Sequence, residues 1–130
     1  MHRSRVGVVL IDHPRESYDA AATFWAATTG TPREAGATVA DDDPYESLAD
    51  QPGGVKLELQ RTGAGTPPRV HLDVETDDVE AETARLVALG ATVTSRHDGW
   101  AVLADPGGMP FCVVPVQTGE AFAAHATTWP

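Results

Sequence analysis

An α+β fold built from two tandem βαβββ modules is what the sequence predicts, and three observations carry that prediction. Polar and apolar residues alternate through Arg69-Val-His-Leu-Asp-Val-Glu75, which runs straight into a helical pattern ending at Leu89-Gly90. The same order of strand, helix and short strands is written once before, from Arg5 onward. A Pro-Gly-Gly run stands before the last strand of each half, at Pro52 and again at Pro106. Neither half can cover a sheet by itself, so the two sheets are expected to share one core. The division is one domain of 130 residues, with module one over about 4–62, a linker at 63–68, module two over about 69–117 and a tail at 118–130.

In order along the chain, Arg5 to Ile11 is an apolar run continuous enough for a buried strand. Pro14 suits a first helical residue, Tyr18, Ala22, Trp25 and Thr29 follow at helical spacing, and Gly30 with Pro32 ends that helix. Three β-like pieces come next, near Ala37–Ala40, Tyr45–Leu48 and Val55–Gln60. In the second half Val70–Glu75 is a strand, and Asp77 with Glu80 forms a capping-box pattern for the next helix. Val79, Thr83, Leu86 and Gly90 mark the buried side of that helix, and Gly90 stops it. Thr92–Arg96, Trp100–Ala104 and Phe111–Val116 complete the second set of strands. The tail holds Phe122, His125 and Trp129, which suit packing over the sheet, packing on a second subunit, or fraying.

Composition narrows the function. A formal net charge of −10 leaves no basic stripe for a nucleic acid. No apolar run reaches the ~18–20 residues that span a bilayer, and the N-terminal run from Val6 to Ile11 is too short for a signal-peptide core. The one cysteine, Cys112, cannot form an internal disulfide and suits a reducing compartment, so the cytoplasm is the expected location.

The residues that suggest chemistry lie on strands. His71, Asp73 and Glu75 share one face of their strand by period two, and Glu58 and Gln60 share a face of theirs. His71 reads either as a structural hydrogen-bonding residue or as a pocket group that orients a polar ligand or moves a proton. Trp100 reads either as a packed rim residue or as a flat stacking wall with one N–H donor. Trp25 and Phe111 read as packing residues, Cys112 as a small buried hydrophobe, and His13 as a turn residue. His97-Asp98 reads as a solvated hairpin turn. Asp105-Pro-Gly-Gly108 lacks the helix and lysine of a phosphate loop, so it reads as a β-turn.

Phe24-Trp25, Gly30, Arg69-Val-His-Leu-Asp73, Asp77-Asp78, Arg85-Leu86, Leu89-Gly-Ala-Thr92, Trp100, Asp105-Pro-x-Gly108 and Phe111-Cys112, in this order and spacing, resemble the vicinal oxygen chelate superfamily. Within it the sequence is similar to the glyoxalase-like and bleomycin-resistance-like proteins. The resemblance covers about Val6 to Val116. It implies paired modules whose sheets curl into an open cup-like barrel, with helices outside, the ligand on the concave face and assembly as a homodimer. It also implies metal-ligand positions on the first and last strand of each module. Those positions fall at Val6 or Gly7, at Glu58 or Gln60, at His71, and at Pro115. Only His71 and one of Glu58 and Gln60 can ligate, short of the three protein ligands of a catalytic zinc site. No metal and no other cofactor is therefore expected.

The expected function is binding of a small organic molecule, of the drug-sequestering kind, through His71, Gln60, Glu58 and Trp100. The negative charge and the Trp100 face suit a cationic aromatic guest. The alternative is a metal-independent lyase, isomerase or cyclase, with His71 as general acid/base and Glu58 or Asp73 as its orienting or second proton-transfer group. A metal-dependent glyoxalase or dioxygenase comes third.

Overall fold

The computed structural model describes all 130 residues. The elements are β1 (His2–Pro14), α1 (Tyr18–Thr29), β2 (Tyr45–Ser47), β3 (Lys56–Thr62), β4 (Arg69–Thr76), α2 (Val79–Ala88), β5 (Thr92–His97), β6 (Trp100–Ala104), β7 (Pro110–Pro115), α3 (Glu120–His125) and β8 (Thr127–Trp129), with a short 3₁₀ turn at Pro52–Gly54.

The fold is α+β, an open sheet in the order β2-β3-β1-β4-β7-β6-β5 with β8 added beside the start of β1. Each module pairs its first strand in parallel with its last, β1 with β3 and β4 with β7. The modules join edge to edge through the antiparallel β1–β4 ladder. Because the end strands β2 and β5 do not pair with each other, the sheet stays an unclosed cup.

That junction changes where the core lies. Instead of one shared core, two apolar clusters sit on the helix side of the sheet. Under α1, Tyr18, Ala22 and Ala26 pack with Val39, Leu48 and Leu59, and Trp25 joins from the edge. Under α2, Ala101, Leu103 and Val113 pack with Val79, Leu86 and Phe111. Edge-to-edge joining leaves each helix to cover only its own half-sheet, which frees the opposite, concave face for polar side chains.

Several boundaries differ from expectation. Residues 37–40 form no strand: Ala37 N–H bonds back to Glu34 O, and Val39 is buried in the α1 cluster, so packing rather than a ladder holds this piece. Pro14 closes β1 and does not open α1, which starts four residues after it behind Ser17. Asp78, one residue beyond the expected Asp77, caps α2 by accepting from Ala81 N–H, while Asp77 accepts from Arg3 N–H at 2.7 Å. Gly30 does end α1, in the left-handed region with φ 70° that glycine enters without strain.

The tail is tied down away from the cup. β8 pairs with His2–Ser4, Phe122 is buried, and Trp129 Nε1–H donates to Ser4 Oγ at 2.8 Å. His2, Glu82 and Arg85 lock together beneath it, with the Arg85 guanidinium 3.8 Å from the centre of the Trp129 ring.

Candidate functional site

The concave face encloses an open cavity of about 730 Å³, walled by β3, β4, β7 and β6 with Tyr45 of β2 at one side. Period two and ladder register build it. His71 lies opposite Leu10 and Arg69 opposite Asp12 on the β1–β4 ladder; Glu58 lies opposite Leu10 and Gln60 opposite Asp12 on the β1–β3 ladder. Asp73 is level with Cys112 on the β4–β7 ladder, and Cys112 with Val102 on the β6–β7 ladder. All these side chains therefore point to the same side.

Glu58, Gln60, His71, Asp73 and Trp100 all line this one cavity. On β4 the usual burial is inverted: His71 and Asp73 are buried, whereas Val70 is 44% exposed on the outer face. Trp100 stands at the rim, stacked on His97 with ring centroids 4.0 Å apart. Glu75, on the same face of β4, is fully buried at the inner end. It pairs with Arg5 Nε at 3.1 Å and accepts from the backbone N–H of Gln117 and Thr118. Its carboxyl lies directly over Gly7, where any Cβ would collide with it. One of the expected metal-ligand positions is therefore filled by another residue's carboxyl.

The residue that sequence reasoning missed is Asp12. It is fully buried, and its Oδ2 receives hydrogen bonds from His71 Nδ1 at 2.7 Å and from Arg69 Nε at 3.1 Å. An ionised carboxylate only accepts, so Nδ1–H of His71 is the donor to Asp12, and Nε2 is left on the far side of the ring. That Nε2 lies 3.8 Å from Asp73 Oδ1, beyond hydrogen-bond distance. The signal for Asp12 was the continued alternation Val8, Leu10, Asp12, hidden because the apolar run stops at Ile11.

The electrostatics follow from burial. Burial raises the Asp73 carboxyl to about 6; the His71 ring opposes this, while the Glu58 and Asp12 charges add to it. Burial also lifts the Cys112 thiol to about 11, with the Asp73 and Asp12 charges adding and Arg69 opposing. Tyr45 is raised as well, first by burial and then by Asp73 and Asp12. Tyr45 Oη accepts from Gln60 Nε2 at 3.3 Å, which fixes the side amide of the wall.

Cys112, half-buried on its strand, also faces this cluster. One donor atom each from His71, Asp73 and Cys112 lies within 4.8 Å of the others. The expected count of two donors, His71 with Glu58 or Gln60, becomes three through Asp73 and Cys112. An imidazole, a carboxylate and a thiol fit a divalent ion by number, and the sulfur favours zinc over manganese.

Two βα-modules joined through their first strands, with a polar cup on one side and helices on the other, define a vicinal oxygen chelate protein. The chain belongs to the glyoxalase-like domain family, which it matches over residues 8–114. Its fold is similar to that of a Mn(II)-bound glyoxalase from Novosphingobium aromaticivorans, at 19% identity and a TM-score of 0.55, over 90% of this chain and 43% of that one. The chain thus spans less than half the length of that protein. It is also similar to a structure described as an NAD-dependent benzaldehyde dehydrogenase from Legionella pneumophila, at 12% identity and a TM-score of 0.53, over 84% of this chain and 99% of that one. The two descriptions name different activities, so the shared fold does not by itself define the chemistry. No curated protein sequence matches the chain.

Proposed function

We propose that the protein binds a small organic molecule in the cup, with a flat part against the aromatic wall and an oxygen-bearing end turned toward His71 and Gln60. The observation that carries this reading is the convergence of Glu58, Gln60, His71, Asp73 and Trp100 on one cavity of about 730 Å³, inside the usual range for small-molecule sites. Tyr45, Trp100 and Phe111 supply the flat surfaces. Lys56 and Arg69 line the cavity beside Glu58 and Asp73, so it carries both signs of charge. That mixture favours a neutral or zwitterionic guest over the purely cationic one that net charge suggests.

The binding reading requires no metal ion. Sequestration, as in drug-resistance proteins of this superfamily, is its simplest form. A homodimer belongs to the same reading, supported by half-exposed apolar side chains such as Phe24, Val70 and Leu89. No helix is long and apolar enough to cross a membrane, and the free thiol of Cys112 suits the cytoplasm.

A second reading is favoured by one specific contact. The Asp12–His71 hydrogen bond holds the imidazole with Nε2 toward the cavity, the arrangement a general base needs. His71 then removes a proton from the guest, Asp73 or Glu58 returns it, and Gln60 polarises a carbonyl, giving a lyase, isomerase or cyclase.

The test is equilibration of the protein with a metabolite extract, followed by mass analysis of both the retained ligand and the solution. Retained, unchanged ligand supports sequestration, and turnover lost in His71→Ala supports the base. Failure to retain or convert anything, with the protein folded, contradicts both.

A further inference from the structure

We infer that the guest of the cup is a zwitterion of the aromatic amino acid class. Its carboxylate meets Arg69 and Tyr45, its ammonium meets Glu58, and its ring lies against Trp100. The inference rests on the reading of this cavity as a small-molecule site and gives that guest a chemical class.

The charges of the cup carry it. Lys56, Glu58, Arg69 and Asp73 line the same cavity, yet none of them pairs with another. Lys56 and Glu58 are neighbours on one face of β3 and both remain without a hydrogen-bonded partner. Elsewhere the chain closes such pairs readily: Arg15 and Arg61 share Asp41, and Arg33 joins Glu46. Charges of both signs left open toward one cavity are complementary to a guest that brings both signs.

Strand register sorts these charges into poles. Tyr45, Gln60, Asp12 and Arg69 stand level across β2, β3, β1 and β4. Arg69 gives its Nε–H to Asp12 at 3.1 Å. Both terminal nitrogens of a held guanidinium are thereby left free, a fork that matches a carboxylate. Tyr45 Oη accepts from Gln60 Nε2, so its own proton is free to donate on that level. Glu58 stands one level on, opposite Leu10, and Asp73 one further, opposite Val8. Successive levels are about 7 Å apart, so Glu58 is the open carboxylate nearer to Arg69, as an ammonium and a carboxylate on one carbon require. Lys56 shares the level of Asp73 and offsets that charge across β1.

The other half of the cup is apolar, with Trp100 and Val102 from β6 and Pro110 and Val114 from β7. A guest with both charges at one end and a ring at the other matches this division. Burial of the ring supplies affinity that two solvent-accessible ion pairs alone do not.

Titration calorimetry with three probes that share one phenylethyl body tests the inference. They are free phenylalanine, phenethylamine, which lacks the carboxylate, and hydrocinnamate, which lacks the ammonium. Phenylalanine is expected to bind at least about 10-fold more tightly than either, the difference that one hydrogen bond to a charged group makes. In Arg69→Gln it should bind no better than phenethylamine, and in Glu58→Gln no better than hydrocinnamate. The probe series on the unaltered protein gives the answer by itself if a variant fails to fold. Three results would overturn the inference: phenylalanine binding no tighter than its singly charged analogues, a carboxylate gain lost in Lys56→Gln but kept in Arg69→Gln, or no binding of free phenylalanine or tryptophan. Retention of a different ligand from the metabolite extract would then leave the small-molecule reading standing, whereas retention of nothing would remove both.

Discussion

Two buried polar groups stand on opposite sides of the sheet, and they are built on different principles. Behind it, Glu82 is fully buried but accepts from Arg85 Nε and Nη2, with His2 Nε2 at 2.6 Å, and Arg85 lies against Trp129. In the cup, Asp73 is nearly as buried yet the nearest ring nitrogen, His71 Nε2, is 3.8 Å away, and one oxygen of Asp12 has no hydrogen-bond partner. The first group closes on itself and ties both chain ends to α2. The second remains open toward a cavity. Burial penalises both, but hydrogen bonds compensate it in only one, and that difference separates a structural cluster from a binding one.

The acid–base behaviour shows the same contrast. Burial raises Glu82, but hydrogen bonds from Arg85, His2 and Ser4 outweigh it and leave the carboxyl below its ordinary value. Asp73 moves the other way, to about 6.

The largest way to break the comparison is Glu82→Leu. It strips His2 and Arg85 of their shared acceptor and should cost about 3 kcal/mol in urea unfolding, within the range for breaking a buried ion pair. A loss below about 1 kcal/mol would mean that the clamp contributes little to stability. Gly7→Ala follows. A Cβ there pushes the Glu75 carboxyl off Arg5 and the Gln117 and Thr118 amides, and overpacking of this kind costs about 1–3 kcal/mol. Calorimetry should show a lowered Tm, and an unchanged Tm would mean that Glu75 has another place to go.

A pH series separates the two groups by sign. Glu82, lowered in the folded protein, contributes stability above its ordinary value of 4.5 and loses it as the pH falls through the depressed folded value. Asp73 is raised, so between its ordinary 3.8 and about 6 the folded state holds a proton that the unfolded chain has lost. Its contribution therefore falls as pH rises through that window. Asp73→Asn should remove this decline, seen in denaturation midpoints from pH 4 to pH 7, and leave the acid-side loss in place. An unaltered decline would place its origin elsewhere. The smallest stability effect is at the rim. Trp100 is 37% exposed, so Trp100→Ala should change stability by less than about 1 kcal/mol while weakening guest binding measurably by titration calorimetry. The opposite pattern would make it a packing residue.

The sequence carried the module order because it depends on local patterns. Alternation on β4 placed His71 and Asp73 on one face, and the Pro-Gly-Gly signals placed the strands that carry Glu58 and Cys112. Pairing across the chain was not legible. The β4–β7 register that sets Cys112 beside Asp73, and the β1–β4 junction that sets Asp12 beside His71, join residues 39 and 59 positions apart in the chain. The shared core failed for the same reason, since periodicity shows which residues face together but not whether two sheets stack or join at their edges. Residues 37–40 show a further limit: β propensity yielded there to packing of Val39 beneath α1.

The central claim is that the cup's polar cluster is held for binding and not for folding. Urea unfolding of Asp73→Asn against the unaltered protein at pH 8 tests it most directly. The variant is expected to be the more stable, by up to about 3 kcal/mol for a carboxyl raised to about 6. A variant less stable than the unaltered protein would contradict the claim.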